Sequence, residues 1–343
     1  MAEKAFDPIK SWFDAAEALG EYIGIRFGRL RPGSNDPEWM FMPHCDYDGI
    51  GGFAEILRQR GAVLSKLPVI KHPSNPSWMP LIKSGPKLLK PRRALEWNIP
   101  SDKIKLSTNA QPPSAVAWHV FDEIETSQIR RACRKGGFTV NSFLLKHVSK
   151  AVRPCLKDEA SVIPWMVPVN LRGKVFRDRD TANFSAYVGV KIASYETIRD
   201  VHRKIYEALG RGEHWANWYA YKSGHVLSHG MKKQMVTSGR CMAEWYLGSF
   251  SNLGDWDADK KLNSPGCLGG WLFSPPVLRC QLVGAGCVTF QNRLSLTIQT
   301  HPELTTDVAV PRNWMQNWVR EIEMDLSSLL SDAVTTPARL AAA

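Results

Sequence analysis

Two residues able to move a proton or anchor a loop lie four positions apart in the segment 40–53, MFMPHCDYDGIGGF: His44 and Asp48. A histidine suits general-base work, because its unperturbed pKa is about 6.5 and neutral imidazole is available near pH 7. The apolar run 39–42 reads as a buried strand. Pro43 ends its ladder, since proline has no N–H, and His44 follows directly. Asp48-Gly49 and Gly51-Gly52 mark a sharp change of chain direction. Residues 53–60 then read as an amphipathic helix. A histidine is thus expected where a strand stops, on a loop shaped by an aspartate and three glycines. That places a base at the mouth of a cleft. Cys45 adjoins His44, but neighbours on an extended segment point to opposite faces. It therefore reads as a packing residue and not as the thiol of a Cys–His dyad.

The elements that must position this loop alternate between strands and helices. Residues 21–30 alternate as a strand, and 31–36 form a turn. The stretch 64–113 is rich in proline and basic residues and reads as a long crossover. A strand follows at 115–121. Thr126 is expected to cap a helix ending at Gly136-Gly137. Thr139 is expected to cap a second, with Val140, Phe143, Leu144, His147, Val148 and Ala151 on one face. His147 in that stripe reads as a core or interface histidine. Strands are expected at 161–171, 183–192 and 246–253, with a closing hairpin from 277–289 and 294–300. Helices are expected at 197–209, across the aromatic stretch 213–235, and at the C-terminal stripe of Trp314, Met315, Trp318, Val319, Ile322, Leu326 and Leu329. The fold class is therefore α/β.

The pattern His-x-x-x-Asp-Gly resembles the signature of the chloramphenicol-acetyltransferase-like superfamily. That group includes the condensation domains of nonribosomal peptide synthetases, plant acyl-CoA acyltransferases and wax ester synthases. Five further segments resemble the family in the same order. GFTVNSFLLKHVSKAV at 137–152 resembles the helix that opens the second lobe. PVNLRG at 168–173 and ANFSAYVGVKI at 182–192 resemble two successive strands, and SFSNLG at 249–254 the strand flooring the active-site tunnel. LSLTIQTHPELT at 294–305 resembles the last strand and its exit. The resemblance implies a two-layer sandwich of mixed or antiparallel sheets covered by helices, in two lobes. Because the motif arrives at residue 44, the N-terminal lobe is expected to be reduced. It would span 1–113, with the C-terminal lobe at 114–343. A homo-oligomer could complete the short lobe.

The same resemblance implies a chemistry. His44 would be the general base, activating a hydroxyl or amine of a small-molecule acceptor against a thioester. The co-substrate would be acyl-CoA or acyl-phosphopantetheine on an acyl carrier protein, with no bound cofactor. Asp48 would hold the loop through Arg172, and Gly49 would permit the turn. Ser251, Asn252 or Ser185 could supply an oxyanion donor, and Tyr47 could line the pocket. Alternatives within the fold are condensation between carrier-bound substrates and a non-catalytic carrier-binding module.

The charge pattern adds an anionic partner. Net charge is +11, and residues 56–95 carry nine basic side chains and no acidic one. Such a run suits phosphates, an acidic protein or a lipid surface; its plain alternative is a solvated linker. Lys87, Lys90, Arg92 and Arg93 are the candidate contacts to donor phosphates. Nucleic acid is not expected, since no recognition motif accompanies the charge. Seven cysteines without a C-x-x-C pair argue against disulfides and structural zinc. An Fe(II) triad from His44, Asp46 and the distal His301, with Arg312 nearby, is the rival metal chemistry. The expected helices oppose the nearly all-β core it needs. No apolar run reaches membrane-span length and the N-terminus lacks a signal-peptide core, so a cytoplasmic protein is expected.

Overall fold

The computed structural model describes residues 7–18, 20–34, 36–64, 66–69, 74–88, 95–99, 115–159, 162–237, 246–256 and 265–331. The helices are α1 (Pro8–Glu17), α2 (Gly49–Gln59), α3 (Met79–Leu88), α4 (Glu123–Gly136), α5 (Val140–Val152), α6 (Ile198–Gly210), α7 (Glu213–Ser223), α8 (His229–Thr237) and α9 (Ala309–Ser331). The strands are β1 (Gly24–Leu30), β2 (Glu38–Pro43), β3 (Val116–Val120), β4 (Ile163–Asn170), β5 (Ser185–Ile192), β6 (Gly248–Asp255), β7 (Gly270–Ser274), β8 (Val283–Phe290) and β9 (Arg293–Thr300).

The strands form two sheets. The larger has the order β3-β9-β8-β6-β4-β5, with β6 parallel to β4 and β8 and the remaining pairs antiparallel. The smaller has the order β2-β1-β7 and is antiparallel throughout. Period-two alternation sorts β9 between two layers. Leu294, Leu296 and Ile298 enter the core beneath the helices, with Phe143, Leu144, Trp314 and Trp318. The intervening Ser295, Thr297 and Gln299 point the other way. Ser295 Oγ donates to the Trp271 carbonyl (2.6 Å) and Thr297 Oγ1 to that of Phe273 (2.5 Å). Gln299 Nε2 donates to the Pro275 carbonyl. A ladder of side chains thus satisfies the outer edge of β7 and fastens the small sheet to the large one. A second core of Phe27, Phe53, Trp256, Trp271 and Phe290 fills the space under α2.

Several sequence expectations need correction. β2 is a half-exposed edge strand, with Phe41 47% exposed, and not a buried one. α4 is capped by Asp122 in a capping box with Glu125; the Thr126 hydroxyl instead accepts from the Leu294 amide across to β9. The crossover 64–113 contains α3, which the Gly85-Pro86 pair disguised. The aromatic stretch 213–235 breaks into α7 and α8 around a 3₁₀ turn. The strand expected at 277–289 starts later, as β8 at Val283; the residues before it form a turn in which Leu278 and Gln281 exchange both backbone hydrogen bonds (3.0 and 2.9 Å), and β7, which precedes that turn, was not expected. β7 belongs to the small sheet, so that sheet draws on both sides of the 113/114 boundary.

Candidate functional site

β1 and β2 deliver His44 to the junction of the two sheets. Its backbone amide donates to the Ile23 carbonyl (3.0 Å), and its carbonyl accepts from Asn183 Nδ2 (2.8 Å). The residue is therefore tied to the small sheet on one side and to the lead-in of β5 on the other. Its Nδ1 lies 2.8 Å from the Tyr47 carbonyl. A carbonyl only accepts, so Nδ1 carries the proton and Nε2 holds the free lone pair. Phe13 of α1 packs edge-on against the ring at 5.2 Å. Burial is the main influence on His44 and pushes its pKa below the usual 6.5; the Tyr47 carbonyl and the Asp48 charge oppose it.

Asp48 turns away from the imidazole. It is the N-cap of α2, accepting from the Gly51 amide (2.7 Å), and it also accepts from the Phe184 amide (2.7 Å). Arg172 meets it with two parallel bonds, Nη1 to Oδ2 at 2.8 Å and Nη2 to Oδ1 at 2.9 Å. The remaining guanidinium donors reach the carbonyls of Asp180 and Ala182 and the Asn170 side chain. All five donors of the buried guanidinium are used, as a buried charge requires. The Phe184 ring stacks beneath it at 4.6 Å.

Gly49 and Gly51, in the first turn of α2, matter for the space they leave. Gly49 has ordinary backbone angles, so it does not supply the turn expected of it. A Cβ there would lie 2.5 Å from a Leu253 methyl, and one at Gly51 would lie 2.0 Å from the Thr181 carbonyl. Close approach of α2 to β6 and to the segment between β4 and β5 is what excludes side chains.

A cavity of about 80 Å³ opens beside His44. Its walls include Phe13, Tyr187 and Phe273, with Ser185, Ser249 and Ser251 as hydroxyl groups. Among the expected site residues, Ser185 and Ser251 reach it together with His44 and Gly49. Asn252 does not: it follows Ser251 on β6, faces the opposite way, and accepts from the Gly254 amide. The Tyr47 ring is also elsewhere, beneath the Arg179 guanidinium at 5.1 Å; its carbonyl is the part that matters. The Lys87 side chain, Lys90, Arg92 and Arg93 lie outside the described residues. Asn183 and Gln281 were not anticipated. Asn183 sits inside the ANFSAYVGVKI segment, whereas nothing in the local sequence marks Gln281.

The competing chemistries lose their geometry. Burial pushes the Cys45 thiol up to about 11, and its sulfur faces Lys10 of α1. Asp46 pairs with Lys10 (3.2 Å), while His301 lies beside Glu21 (3.7 Å). Among the described residues no group of histidine, cysteine and carboxylate side chains is arranged to hold a metal ion. His147 is the core histidine expected, bonded to the Phe143 carbonyl and to Asp325. No described helix is long and apolar enough to cross a membrane.

No family model and no curated protein matches the sequence. Solved structures do match. The trichothecene 15-O-acetyltransferase from Fusarium sporotrichioides superposes with a TM-score of 0.53 at 13% identity, over 93% of this chain and 75% of that one. The chain has the fold of condensation domains and chloramphenicol-acetyltransferase-like acyltransferases. The wax ester synthase/diacylglycerol acyltransferase from Marinobacter aquaeolei VT8 gives 0.51 at 12% identity, over 84% of this chain and 67% of that one. The epimerization domain of the third module of tyrocidine synthetase B gives 0.51 at 13%, over 85% and 69%. Such identities speak for the fold alone. Between a quarter and a third of each neighbour has no counterpart here.

Proposed function

We propose that the protein is an acyltransferase that moves an acyl group from a phosphopantetheine thioester to a hydroxyl or amine, with His44 as general base. The donor would be coenzyme A or a carrier protein. The observation that supports this reading is the His44 tautomer: the Tyr47 carbonyl holds Nδ1–H, and Nε2 is left as an acceptor on the cavity. In the proposed step Nε2 takes the proton of the acceptor O–H or N–H while that atom forms a bond to the thioester carbonyl carbon. The tetrahedral intermediate then expels the thiolate, which takes the proton from the imidazolium and leaves as the thiol. Ser251 or Ser185 would donate to the oxyanion, since both hydroxyls line the cavity. The Asp48–Arg172 pair takes no part in proton transfer and fixes the loop.

The epimerization domain among the neighbours means that the fold by itself does not assign acyl transfer. The experiment is intact-mass detection of product from a panel of acyl-CoAs and acylated carrier proteins, offered with simple alcohols and amines. Transfer from at least one donor supports the reading. Tight carrier binding without turnover on any acceptor would replace it with a carrier-binding module.

A further inference from the structure

The crossover helix α3 is fixed on one side and apolar on the other. Just before it, Ser74 Oγ donates to the Leu209 carbonyl of α6 (3.1 Å) and accepts from Trp215 Nε1 of α7 (3.2 Å). Pro80 packs over Gly212, where an added Cβ would lie 3.0 Å from the proline ring. The Ser77 hydroxyl accepts from the Met79 amide (3.2 Å) and starts the helix. Trp78, Met79 and Ile82 share the other side at helical spacing. All three are exposed, Trp78 by 59%.

A second segment brings the same chemistry beside it. The loop after β4 carries Phe176, which is 89% exposed. This loop touches the crossover twice. Lys174 Nζ donates to Asn75 Oδ1 (3.3 Å), and a Cβ at Gly173 would lie 2.8 Å from a methyl of the exposed Val69. Large apolar side chains thus stand in water on two segments in mutual contact. Single exposed apolar residues are ordinary, whereas a grouped set marks an interaction surface. The charge around them has one sign. Residues 66–88 and 171–177 hold no acidic residue, and Lys66, Lys83 and Lys174 are exposed.

We infer that this surface docks on an anionic membrane as a peripheral contact. Indole, thioether and alkyl groups enter the headgroup boundary, while lysine stems lie along it and carry their ammonium groups to lipid phosphates. An acidic protein fits the charge but less well the composition, since lysine is depleted from protein interfaces. The surface is built on elements that wall the His44 cavity. The Phe176 loop runs into Asn183 and Ser185, and α7, on which α3 packs, supplies Tyr221. The inference stands independently of the acyl-transfer reading.

The test is co-sedimentation of the full chain with vesicles of phosphatidylcholine alone or mixed equally with phosphatidylglycerol. Wild-type protein should bind the mixed vesicles and scarcely the neutral ones, and added salt should weaken the binding. Trp78→Ser/Ile82→Ser/Phe176→Ser should bind about ten-fold or more weakly, through lost apolar burial. Neutralising Lys66, Lys83 or Lys174 to glutamine should cost about five-fold each. All these side chains are exposed, so the variants should keep the wild-type Tm. Tyr195→Ser, an exposed aromatic at the far end of β5, should bind as wild type. No binding to mixed vesicles, equal binding to both kinds, or equal losses in Tyr195→Ser and the triple variant would overturn the inference. Binding to an acidic carrier protein that the triple variant loses, without vesicle binding, would also overturn it and give the surface to a protein partner.

Discussion

Arg172 approaches Asp48 from across the sheet junction and meets both carboxylate oxygens, at 2.8 and 2.9 Å, with both side chains buried. The pair joins the N-cap of α2 to the segment between β4 and β5, and so fixes the loop that carries His44. Removing either partner strands a charge, at a typical cost of about 3–5 kcal/mol. Asp48→Ala and Arg172→Ala should each lower Tm and the denaturant midpoint. The double replacement should cost less than the two singles summed, because they share one interaction. Strict additivity in denaturant titrations would contradict the pairing.

The loop glycines give a second test. Gly51→Ala drives a methyl into the Thr181 carbonyl, and backbone cannot yield as a side chain can. It should destabilise by about 1–3 kcal/mol or more. Gly49→Ala presses on the Leu253 and Phe273 side chains, which can shift, and should cost less. Chemical denaturation of the two variants checks the order.

Asn183 bridges His44 and Ser185, donating to the carbonyl of one and accepting from the amide of the other. Asn183→Leu removes both bonds and keeps the branched heavy-atom shape. It should cost about 1–3 kcal/mol of stability and lower kcat more than it raises KM, since the base loses its position. Unchanged kcat would make the contact purely structural.

The pH dependence follows from burial of the His44 ring, which holds its folded pKa below 6.5. The neutral base then persists into mild acid, so the acidic limb of kcat/KM should fall below pH 6.5. Between the folded pKa and 6.5 the unfolded chain binds more protons at this site. Its contribution to stability is fully present above pH 6.5 and is lost as pH falls through the folded pKa. An acidic limb above pH 6.5 that vanishes in His44→Gln would contradict this.

The basic run offers an electrostatic test. Reversing Lys87, Lys90, Arg92 and Arg93 to glutamate should raise the donor KM, and the effect should shrink as salt screens the charges. Unchanged kinetics at low ionic strength would leave the segment a solvated linker.

Much of the site was legible in the sequence because local chemistry encodes it. Pro43 ends a strand and leaves His44 on the loop that follows, as a local reading of a few residues shows; the glycines read as a turn before a helix at 53 are instead the first turn of α2, which starts at Gly49 with Asp48 as its N-cap. The partnership of Asp48 with Arg172 spans 124 positions and came from family resemblance, not from local pattern. What stayed hidden was tertiary. Tyr47 contributes a carbonyl where its ring drew attention. Asn252 and Ser251 are adjacent, and only the pairing of β6 decides which one reaches the cavity. β7 escaped notice because its partner, β1, lies more than two hundred residues earlier.

The most direct test of the central proposal is the rate of product formation by His44→Ala, measured by intact mass alongside wild type with the best acyl donor found. General-base catalysis is worth roughly 10²–10⁴ in rate. His44→Ala should fall by that factor while keeping the wild-type Tm and donor affinity. A His44→Ala variant that transfers the acyl group at the wild-type rate would contradict the assignment of His44 as the base.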